Sequence, residues 1–433
     1  MDHIPLRYPH PHMSLPEQMT ALARDAKASA HQMTRLTTGE KNACLCAMAD
    51  TLEGNAAIIQ KANSKDMENG RSMDLSQAML DRLHLDEIRI TDMTQCLRNV
   101  AELPDPVGCI LDERVRPSGL HLKKVTAPIG VVVMIYESRP NVTADAAGLC
   151  FKSGNVTILR GGKEALNSNQ TITQLMVEAG QKTCELFPEH AIQVVPTTDR
   201  AVIPELLSLT DYVDLCIPRG GEGLIRTVTE CSRVPVIKHY KGICSVYIDV
   251  DADMAKAVAV VVNSKTQRTG VCNAMETLLI DKSITPGLLP QIAEALRNEG
   301  VELRADEAVR EILGADTKVA TDEDWDTEYL DLICAIRIVE GVDGAIDHIN
   351  RHGSGHTESI ITENESTARR FQSEADASTV FWNASTRFSD GGEFGMGAEI
   401  GISTDKIGAR GPMGLAELTT YKWLGEGDGL IRT

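Results

Sequence analysis

The sequence predicts an α/β protein built on parallel sheets. Short apolar runs alternate with Ala-rich helical segments through most of the chain. Strands that alternate with helices are typically joined by right-handed crossovers, which place the strands parallel in a doubly wound sheet. The chain has 433 residues, too many for one ordinary core, and the alternation restarts near Met254, so two or three domains are expected.

The first alternation extends to residue 250. Its predicted strands are 129–137, 156–160, 192–195, 212–218 and 244–250, and its predicted helices are 142–152, 163–186, 201–209 and 222–231. The second alternation covers 254–383 and is followed by a Gly-rich tail over 406–433.

The first 125 residues carry a different pattern. From Ser14 to about Val100, Ala and Leu recur at three- and four-residue spacing, which predicts helices. Residues 103–124 are rich in Pro and Gly and contain two extended runs around Pro117, which predicts a hairpin. An isolated hairpin is marginal in water, so this one needs a partner surface such as another subunit.

Composition and charge exclude several classes of partner. The formal net charge is −19, with 42% hydrophobic and 24% charged residues. A nucleic acid or an anionic membrane would repel such a protein, so neither is expected to bind it. The N-terminus does not resemble a signal peptide, and the 11 cysteines are irregularly spaced. We therefore expect a cytoplasmic protein with reduced thiols.

Cys272 is the candidate nucleophile. It follows Gly270-Val271, and Lys265 and Arg268 stand just upstream. A glycine-flanked loop gives access to the backbone, and positive charge stabilises the thiolate that attacks a substrate. From these residues alone, a buried and inert cysteine remains the alternative.

Residues 126–169 carry a family resemblance. They hold a Pro-Ile-Gly strand, Pro140-Asn141, an Ala-rich helix, Lys152-Ser-Gly-Asn and a second strand. This order resembles the cofactor domain of aldehyde dehydrogenases. The resemblance implies an aldehyde dehydrogenase-like α/β fold, with a Rossmann-type cofactor domain, an α/β catalytic domain and a small β oligomerisation element.

The resemblance implies a catalytic role for Asn141. In the superfamily, an Asn after the first strand and the backbone N–H of the nucleophilic Cys stabilise the oxyanion of the acyl intermediate. Asn141 and Cys272 are the matching residues here. From the residues alone, Asn141 is also a suitable N-cap for a helix that begins at Val142, and the two roles are compatible.

Two further places imply that the cofactor is NADPH/NADP. Superfamily members that use NAD commonly carry a Lys at the end of the second strand and a Glu three residues later. This chain has Arg160 and Lys163 there, and two cations suit a 2′-phosphate; a merely solvated Lys163 is the alternative. The turn at Gly220-Gly221 resembles the superfamily's dinucleotide loop, which implies contact with the cofactor phosphates.

Three later stretches narrow the resemblance. Residues 236–253, 345–361 and 381–404 closely resemble the gamma-glutamyl phosphate reductases. That family implies reduction of L-glutamyl 5-phosphate to L-glutamate 5-semialdehyde and phosphate, the second step of proline synthesis from glutamate. His352 and His356 have a metal-like spacing, but Gly353 and Gly355 interrupt a helix there, so no metal is expected.

The family also implies substrate-binding residues. His239 occupies the place where hydrolytic aldehyde dehydrogenases carry a water-activating Glu, and an enzyme that protects its thioester from water has reason to omit that Glu. Lys265 and Arg268 are candidates for the phosphate, and Arg387 can grip the α-carboxylate in a bidentate fork. Glu328 is either the superfamily's Glu at the nicotinamide ribose or an ordinary surface carboxylate.

The implied domains are a cofactor-binding domain of 1–113 with 126–242 and about 385–405, a catalytic domain of 243–384, and an oligomerisation element of 114–125 with 406–433. The implied partners are the small-molecule substrate, further copies of the chain and glutamate 5-kinase. Two alternatives stay open: an aldehyde dehydrogenase that forms a free acid, and a catalytically silent scaffold that binds the kinase or NADP.

Overall fold

The computed structural model describes residues 13–432. The chain divides into two compact units. The first unit runs to Lys238 and adds Met396–Gly401 and the chain from Met413 onward. The second unit comprises His239–Gly395 and Ile402–Pro412. The three functional domains expected from the sequence remain a prediction, since a compact unit need not coincide with a functional domain.

The helices of the described residues are, in chain order, α1 (Leu15–Met33), α2 (Thr38–Gly54), α3 (Ala56–Ser72), α4 (Gln77–Leu83), α5 (Glu87–Glu102), α6 (Asn141–Lys152), α7 (Leu166–Thr183), α8 (Val202–Leu207), α9 (Glu222–Cys231), α10 (Met254–Thr266), α11 (Thr285–Asn298), α12 (Glu307–Leu313), α13 (Gly341–His352) and α14 (Glu365–Glu374).

The strands of the described residues are, in chain order, β1 (Ile110–Val115), β2 (His121–Pro128), β3 (Val131–Tyr136), β4 (Val156–Arg160), β5 (Ile192–Val194), β6 (Leu215–Arg219), β7 (Cys244–Ile248), β8 (Met275–Asp281), β9 (Glu302–Ala305), β10 (Lys318–Val319), β11 (Ile333–Val339), β12 (Thr357–Ile361), β13 (Thr379–Trp382), β14 (Ile402–Ser403), β15 (Gly411–Pro412) and β16 (Thr419–Glu426).

A parallel sheet of order β5-β4-β3-β6 lies at the centre of the first unit. Every residue of β3 is buried, as expected of a continuous apolar run covered on both faces. Asp214 anchors this sheet, because it accepts from the Val131 backbone N–H at 2.8 Å and from Lys27 Nζ of α1 at 2.8 Å. The doubly wound arrangement predicted from the alternation is confirmed.

A separate antiparallel sheet of order β1-β2-β16 forms in the same unit. The hairpin predicted around Pro117 is present, and its partner surface comes from the chain's own tail. β16 pairs along the whole of β2, from Thr419 opposite Pro128 to Glu426 opposite His121. The hairpin thus has the partner surface it was expected to need, and that surface is internal; contact of this sheet with another subunit stays a prediction.

A larger parallel sheet of order β10-β9-β11-β8-β7-β12-β13 organises the second unit. The two central strands, β7 and β8, are wholly buried. The helices α10 and α11 contribute Val261, Leu289 and Ile292 to the hydrophobic core that covers them. None of the described helices is long and apolar enough to cross a membrane.

Candidate active site

Cys272 lies half-buried in the turn between α10 and β8. The Cys244 thiol donates to the Cys272 carbonyl oxygen at 3.2 Å. A β-carbon on Gly242 would lie 1.9 Å from that oxygen and 2.5 Å from the Cys272 Cα, so only glycine fits there. The segment that leads into β7 therefore packs backbone against backbone on the loop of the predicted nucleophile.

Two guanidinium groups share the electrostatic environment of this loop. Arg387 is half-buried, and its Nε donates to Gln267 Oε1 at 2.8 Å. Burial lowers the pKa of Arg387, and the positive charge of Arg268 lowers it further. Asp390 and the Cys272 thiol act in the opposite direction and raise this pKa. The structure thus places Arg387 within electrostatic reach of both Arg268 and Cys272, and positive charge beside a thiol stabilises its thiolate form.

Lys265, unlike the two arginines, is fully buried and paired with a carboxylate. Its side chain and that of Glu276 are both 0% exposed, and Lys265 Nζ lies 2.6 Å from Glu276 Oε2. Burial raises the pKa of Glu276 to about 7, against the opposing charge and hydrogen bond of Lys265. Because the ammonium is enclosed and its charge is matched, the structure argues against Lys265 as a phosphate ligand.

Glu328 lies half-buried in the segment before β11. Its charge contributes to the raised pKa of Glu276, after burial and against the Lys265 interactions. The carboxylate of Glu328 is therefore within electrostatic reach of the buried pair. Its role at the nicotinamide ribose stays a prediction.

His239 belongs to a group of side chains behind the nucleophile loop. Its Nδ1 lies 2.8 Å from the Ile402 carbonyl oxygen. A carbonyl only accepts, so Nδ1 carries a proton and donates to it. The His356 ring packs edge-on at 5.8 Å between centroids, and its Nδ1 lies 3.7 Å from the Cys244 thiol. His239 is thus linked through His356 and Cys244 to the backbone of Cys272.

His352 and His356 do not share a helix. α13 ends at His352, and Gly353 follows as its C-cap residue. His352 Nδ1 lies 2.9 Å from Asp326 Oδ1, whereas His356 is fully buried and the pKa of His356 is lowered to about 3 by burial. Among residues 13–432, no group of three or more His, Cys, Asp or Glu side chains could hold a metal ion.

In the first unit, Asn141 is the first residue of α6, and Pro140 is the N-cap residue. The alternative role of Asn141 as N-cap is therefore wrong. Asn141 Nδ2 instead donates to Asp145 Oδ2 at 3.0 Å. Burial raises the pKa of Asp145 to about 6, against hydrogen bonds from Cys96 and Asn141 and the charge of Arg219.

Arg160 ends β4 and is 7% exposed. Its Nη2 makes a long contact of 3.4 Å to the Thr198 carbonyl oxygen, and its buried Nε has no partner within residues 13–432. Burial lowers the pKa of Arg160. The charge of Glu164 opposes this lowering, and the charge of Arg200 adds to it. Lys163 is exposed three residues on. A guanidinium with an unused buried N–H can bind a phosphate, although the carboxylates Glu164, Glu137 and Asp199 also act on this one.

The turn at Gly220-Gly221 leads into α9, with Gly221 as its N-cap residue. The Gly221 N–H donates to Glu137 Oε2 at 3.1 Å, and a β-carbon on Gly220 would lie 2.5 Å from the same oxygen. The Glu137 carboxylate therefore lies at this helix N-terminus, where backbone N–H groups favour a negative charge.

Three neighbours of the predicted residues were missed by sequence reasoning: Asp145, Cys244 and Glu137. Asp145 stands four residues after Asn141, the spacing at which helical side chains meet, so the sequence held that signal. Cys244 and Glu137 meet partners 28 and 84 residues away. Only the order of the strands brings those partners together.

Comparison with known proteins shows the family to which this chain belongs. Residues 10–311 match the Aldehyde dehydrogenase family, which is well over half of the 433 residues. The chain belongs to the aldehyde dehydrogenase family.

Among solved structures, this chain is similar to two gamma-glutamyl phosphate reductases. The gamma-glutamyl phosphate reductase of Thermotoga maritima is 46% identical over 96% of this chain and 100% of its own, with a TM-score of 0.94. The Saccharomyces cerevisiae gamma-glutamyl phosphate reductase is 32% identical over 98% of this chain and 100% of its own, with a TM-score of 0.54. The resemblance stated from residues 236–253, 345–361 and 381–404 is confirmed.

An acetylating aldehyde dehydrogenase from Geobacillus thermoglucosidasius is 19% identical over 97% of this chain and 98% of its own, with a TM-score of 0.66. At that identity the likeness shows the shared fold alone. The aldehyde dehydrogenase-like fold predicted from the sequence is confirmed.

Proposed function

We propose that this chain reduces L-glutamyl 5-phosphate to L-glutamate 5-semialdehyde, with release of phosphate, in the second step of proline synthesis from glutamate. The observation that carries the proposal is the 46% identity and TM-score of 0.94 to a gamma-glutamyl phosphate reductase across nearly the whole chain. The Cys272 loop with its two guanidinium groups supplies the chemistry that an acyl phosphate requires.

Cys272 acts as the covalent nucleophile. Its thiolate attacks the γ-acyl carbon and forms an S–C bond, and the C–O bond to phosphate breaks so that phosphate leaves with the electron pair. The Asn141 amide and the Cys272 backbone N–H stabilise the oxyanion that develops on the acyl oxygen. After reduction, the S–C bond breaks, the aldehyde leaves and the thiolate is restored.

Arg268 and Arg387 serve the anionic parts of the substrate. Arg387 is within electrostatic reach of both Cys272 and Arg268, so the two guanidinium groups are suited to neutralise a phosphate as it departs or to bind the α-carboxylate. Arg387 is the better carboxylate ligand, because Gln267 holds its Nε and leaves the two terminal nitrogens for a bidentate pair.

NADPH is the proposed cofactor within a family that uses nicotinamide cofactors. Arg160 and Lys163 hold its 2′-phosphate, and the Gly220-Gly221 turn holds its pyrophosphate. Glu328 is proposed at the nicotinamide ribose. When bound, NADPH supplies the hydride that reduces the acyl thioester.

His239 contributes to substrate binding and replaces a water-activating Glu. Its ring is fixed at Nδ1 by Ile402 and packed against His356, so it is more restricted than a flexible carboxylate. A thioester that is not exposed to an activated water survives until it is reduced. This favours phosphate-coupled reduction over formation of a free acid.

We also propose that the enzyme is a cytoplasmic homo-oligomer, with glutamate 5-kinase as a candidate partner that would supply the unstable substrate. The β1-β2-β16 sheet exposes a group of large apolar side chains: Ile110, Val115, Tyr421 and Trp423. Such a surface is typical of an interface. Val115→Glu with Trp423→Glu should lower the native mass in light scattering; an unchanged mass would contradict the assignment of this surface.

The reverse reaction tests the function. The chain is supplied with glutamate 5-semialdehyde and NADP⁺, and NADP⁺ reduction is followed with and without inorganic phosphate. We expect phosphate to be required, because it must cleave the thioester. Equal rates without phosphate would reject the reductase and support an ordinary aldehyde dehydrogenase, whereas no turnover under either condition would support a silent scaffold.

A further inference from the structure

Asn141 and Asp145 face each other across one turn of α6. Asn141 Nδ2 donates to Asp145 Oδ2 at 3.0 Å, the contact expected of side chains four residues apart on a helix. The proposed mechanism uses the amide of Asn141 but gives Asp145 no part. Asp145 nevertheless contacts the one group in that amide on which oxyanion stabilisation depends.

We infer that Asp145 is a positioning residue that holds the Asn141 carboxamide with its NH₂ end, and not its oxygen, available to the acyl oxygen of the substrate. The inference rests on the proposed role of Asn141. An ionised carboxylate only accepts hydrogen bonds, so it selects the NH₂ end of the amide. If the amide were turned by 180°, its oxygen would face the Asp145 oxygen and the two would repel each other.

The NH₂ group has two hydrogens, and this arrangement divides them. One hydrogen is given to Asp145, and the other remains for the developing oxyanion. Without Asp145, the amide can present either end, and the oxygen end would destabilise a negative charge. A fixed donor costs no reorganisation during the reaction, which is what makes an oxyanion hole effective.

Asp145 is itself held from two other elements. The Cys96 thiol of α5 forms a hydrogen bond with its carboxylate, and Arg219 at the end of β6 contributes positive charge. Burial raises the pKa of Asp145 to about 6, so its carboxylate is mainly ionised at neutral pH. A side chain fixed in this way can orient its neighbour, whereas a freely moving one cannot.

A double-mutant cycle tests the inference in the full-length enzyme. Asn141→Ala, Asp145→Leu, the double variant and Asp145→Asn are assayed for kcat and KM in the phosphate-dependent reverse reaction. The Kd of NADP⁺ and the melting temperature are measured on the same samples. Asp145→Ala replaces the Leu variant if the latter does not fold.

Loss of the amide donor should lower kcat about 100-fold, and Asp145→Leu should lower it about 10-fold or more with little change in KM or in the Kd of NADP⁺. The double variant should be no slower than Asn141→Ala, because the two residues act as one unit. Asp145→Asn should fall between the wild type and Asp145→Leu, because its amide oxygen can still accept from Asn141 but its NH₂ group can turn toward Asn141 instead.

The outcomes separate the two levels of the proposal. If Asn141→Ala is slow and Asp145→Leu retains the wild-type kcat, or if the two losses multiply in the double variant, Asp145 has no positioning role. If Asn141→Ala itself retains the wild-type kcat, the catalytic role of Asn141 falls and the inference falls with it. The phosphate requirement of the reaction is judged independently, on the wild-type enzyme.

Discussion

Gly242 and Cys272 are in backbone contact: a β-carbon at position 242 would lie 1.9 Å from the Cys272 carbonyl oxygen. The same oxygen accepts from the Cys244 thiol at 3.2 Å. The position of the nucleophile is therefore set by main-chain packing from the segment that enters β7.

Gly242→Ala should displace the Cys272 loop. A methyl group cannot be accommodated against backbone atoms without a shift, and a displacement of about 1 Å can cost about 100-fold in rate. We expect kcat to fall by at least about 10-fold. Gly287→Ala is the matched control, since a β-carbon there meets nothing within 4 Å and alanine favours a helix. Normal turnover in Gly242→Ala would show that the loop tolerates the shift.

Cys272→Ala should abolish the covalent step. Incubation of the wild-type enzyme with glutamyl phosphate in the absence of cofactor should yield an acylated protein by intact mass spectrometry, and Cys272→Ala should remain unmodified. Cys46→Ala removes an exposed thiol on α2 and should retain full activity. Acylation of Cys272→Ala at another residue, with turnover preserved, would reject the mechanism.

Lys163→Glu should weaken the preference for NADP. A carboxylate at this exposed position repels a 2′-phosphate and can accept from the 2′-hydroxyl of NAD. We expect the Kd of 2′,5′-ADP, measured by calorimetry, to rise by about 10-fold, a loss of about 1.4 kcal/mol, with the Kd of 5′-ADP nearly unchanged. Lys61→Glu, on the exposed part of α3, makes the same charge change as a control. Equal weakening of both ligands would contradict a 2′-phosphate contact.

The sequence predicts the sheets well because their signal is local. β3, β4 and β6 are short, mainly apolar runs, as is typical of strands that are buried on both faces. The family resemblance placed 406–433 with the hairpin in one β element, but the strand β16 itself was not predicted. β16 pairs with β2 about 300 residues earlier in the chain, although its run of Thr, Tyr and Trp residues favours a strand. Nothing in the local sequence specifies a partner that distant.

In the site, too, the sequence predicts what depends on local motifs and does not predict what depends on distant packing. Motifs suffice to propose Cys272 and Asn141, whose roles stay predictions, but they do not show whether Lys265 faces solvent. Its motif places it seven residues before Cys272, near enough for a phosphate ligand. Only the packing of α10 on β8 turns it inward to Glu276. Charge in a sequence shows that a partner is needed, and the fold decides which partner it is.

The Lys265–Glu276 pair should prove structural. Removing one member of a buried ion pair leaves an isolated buried charge, so Lys265→Met should cost about 3–5 kcal/mol of unfolding free energy. Adding Glu276→Leu should recover part of that loss. Lys282→Met breaks an exposed pair with Glu340 and should cost less than about 1 kcal/mol. If Lys265→Met raised the KM for phosphate and kept its stability, the assignment as a phosphate ligand would return.

His348 should make the second unit sensitive to acid. Burial lowers the pKa of His348 to about 3 from 6.5, with His352 and Arg337 adding to the lowering and Asp326 opposing it. Arg337 Nη1 lies 3.0 Å from His348 Nδ1; since a guanidinium only donates, this nitrogen is unprotonated. Between pH 6.5 and 3 the unfolded chain binds a proton that the native state does not, so stability is lost as the pH falls through that window.

His348→Gln isolates this contribution, because glutamine keeps an acceptor for Arg337 and does not titrate. The stability of the wild type relative to this variant should fall by up to about 1.4 kcal/mol per pH unit below pH 6.5. Urea unfolding at pH 7, 5.5 and 4.5 measures the difference, and carboxylates that titrate in both proteins cancel in it. His31→Gln, at an exposed position in α1, controls for loss of a histidine as such. If the stability difference between the wild type and His348→Gln stayed constant with pH, His348 would take up its proton in the folded protein as it does in the unfolded chain. That result would contradict the lowered pKa of His348.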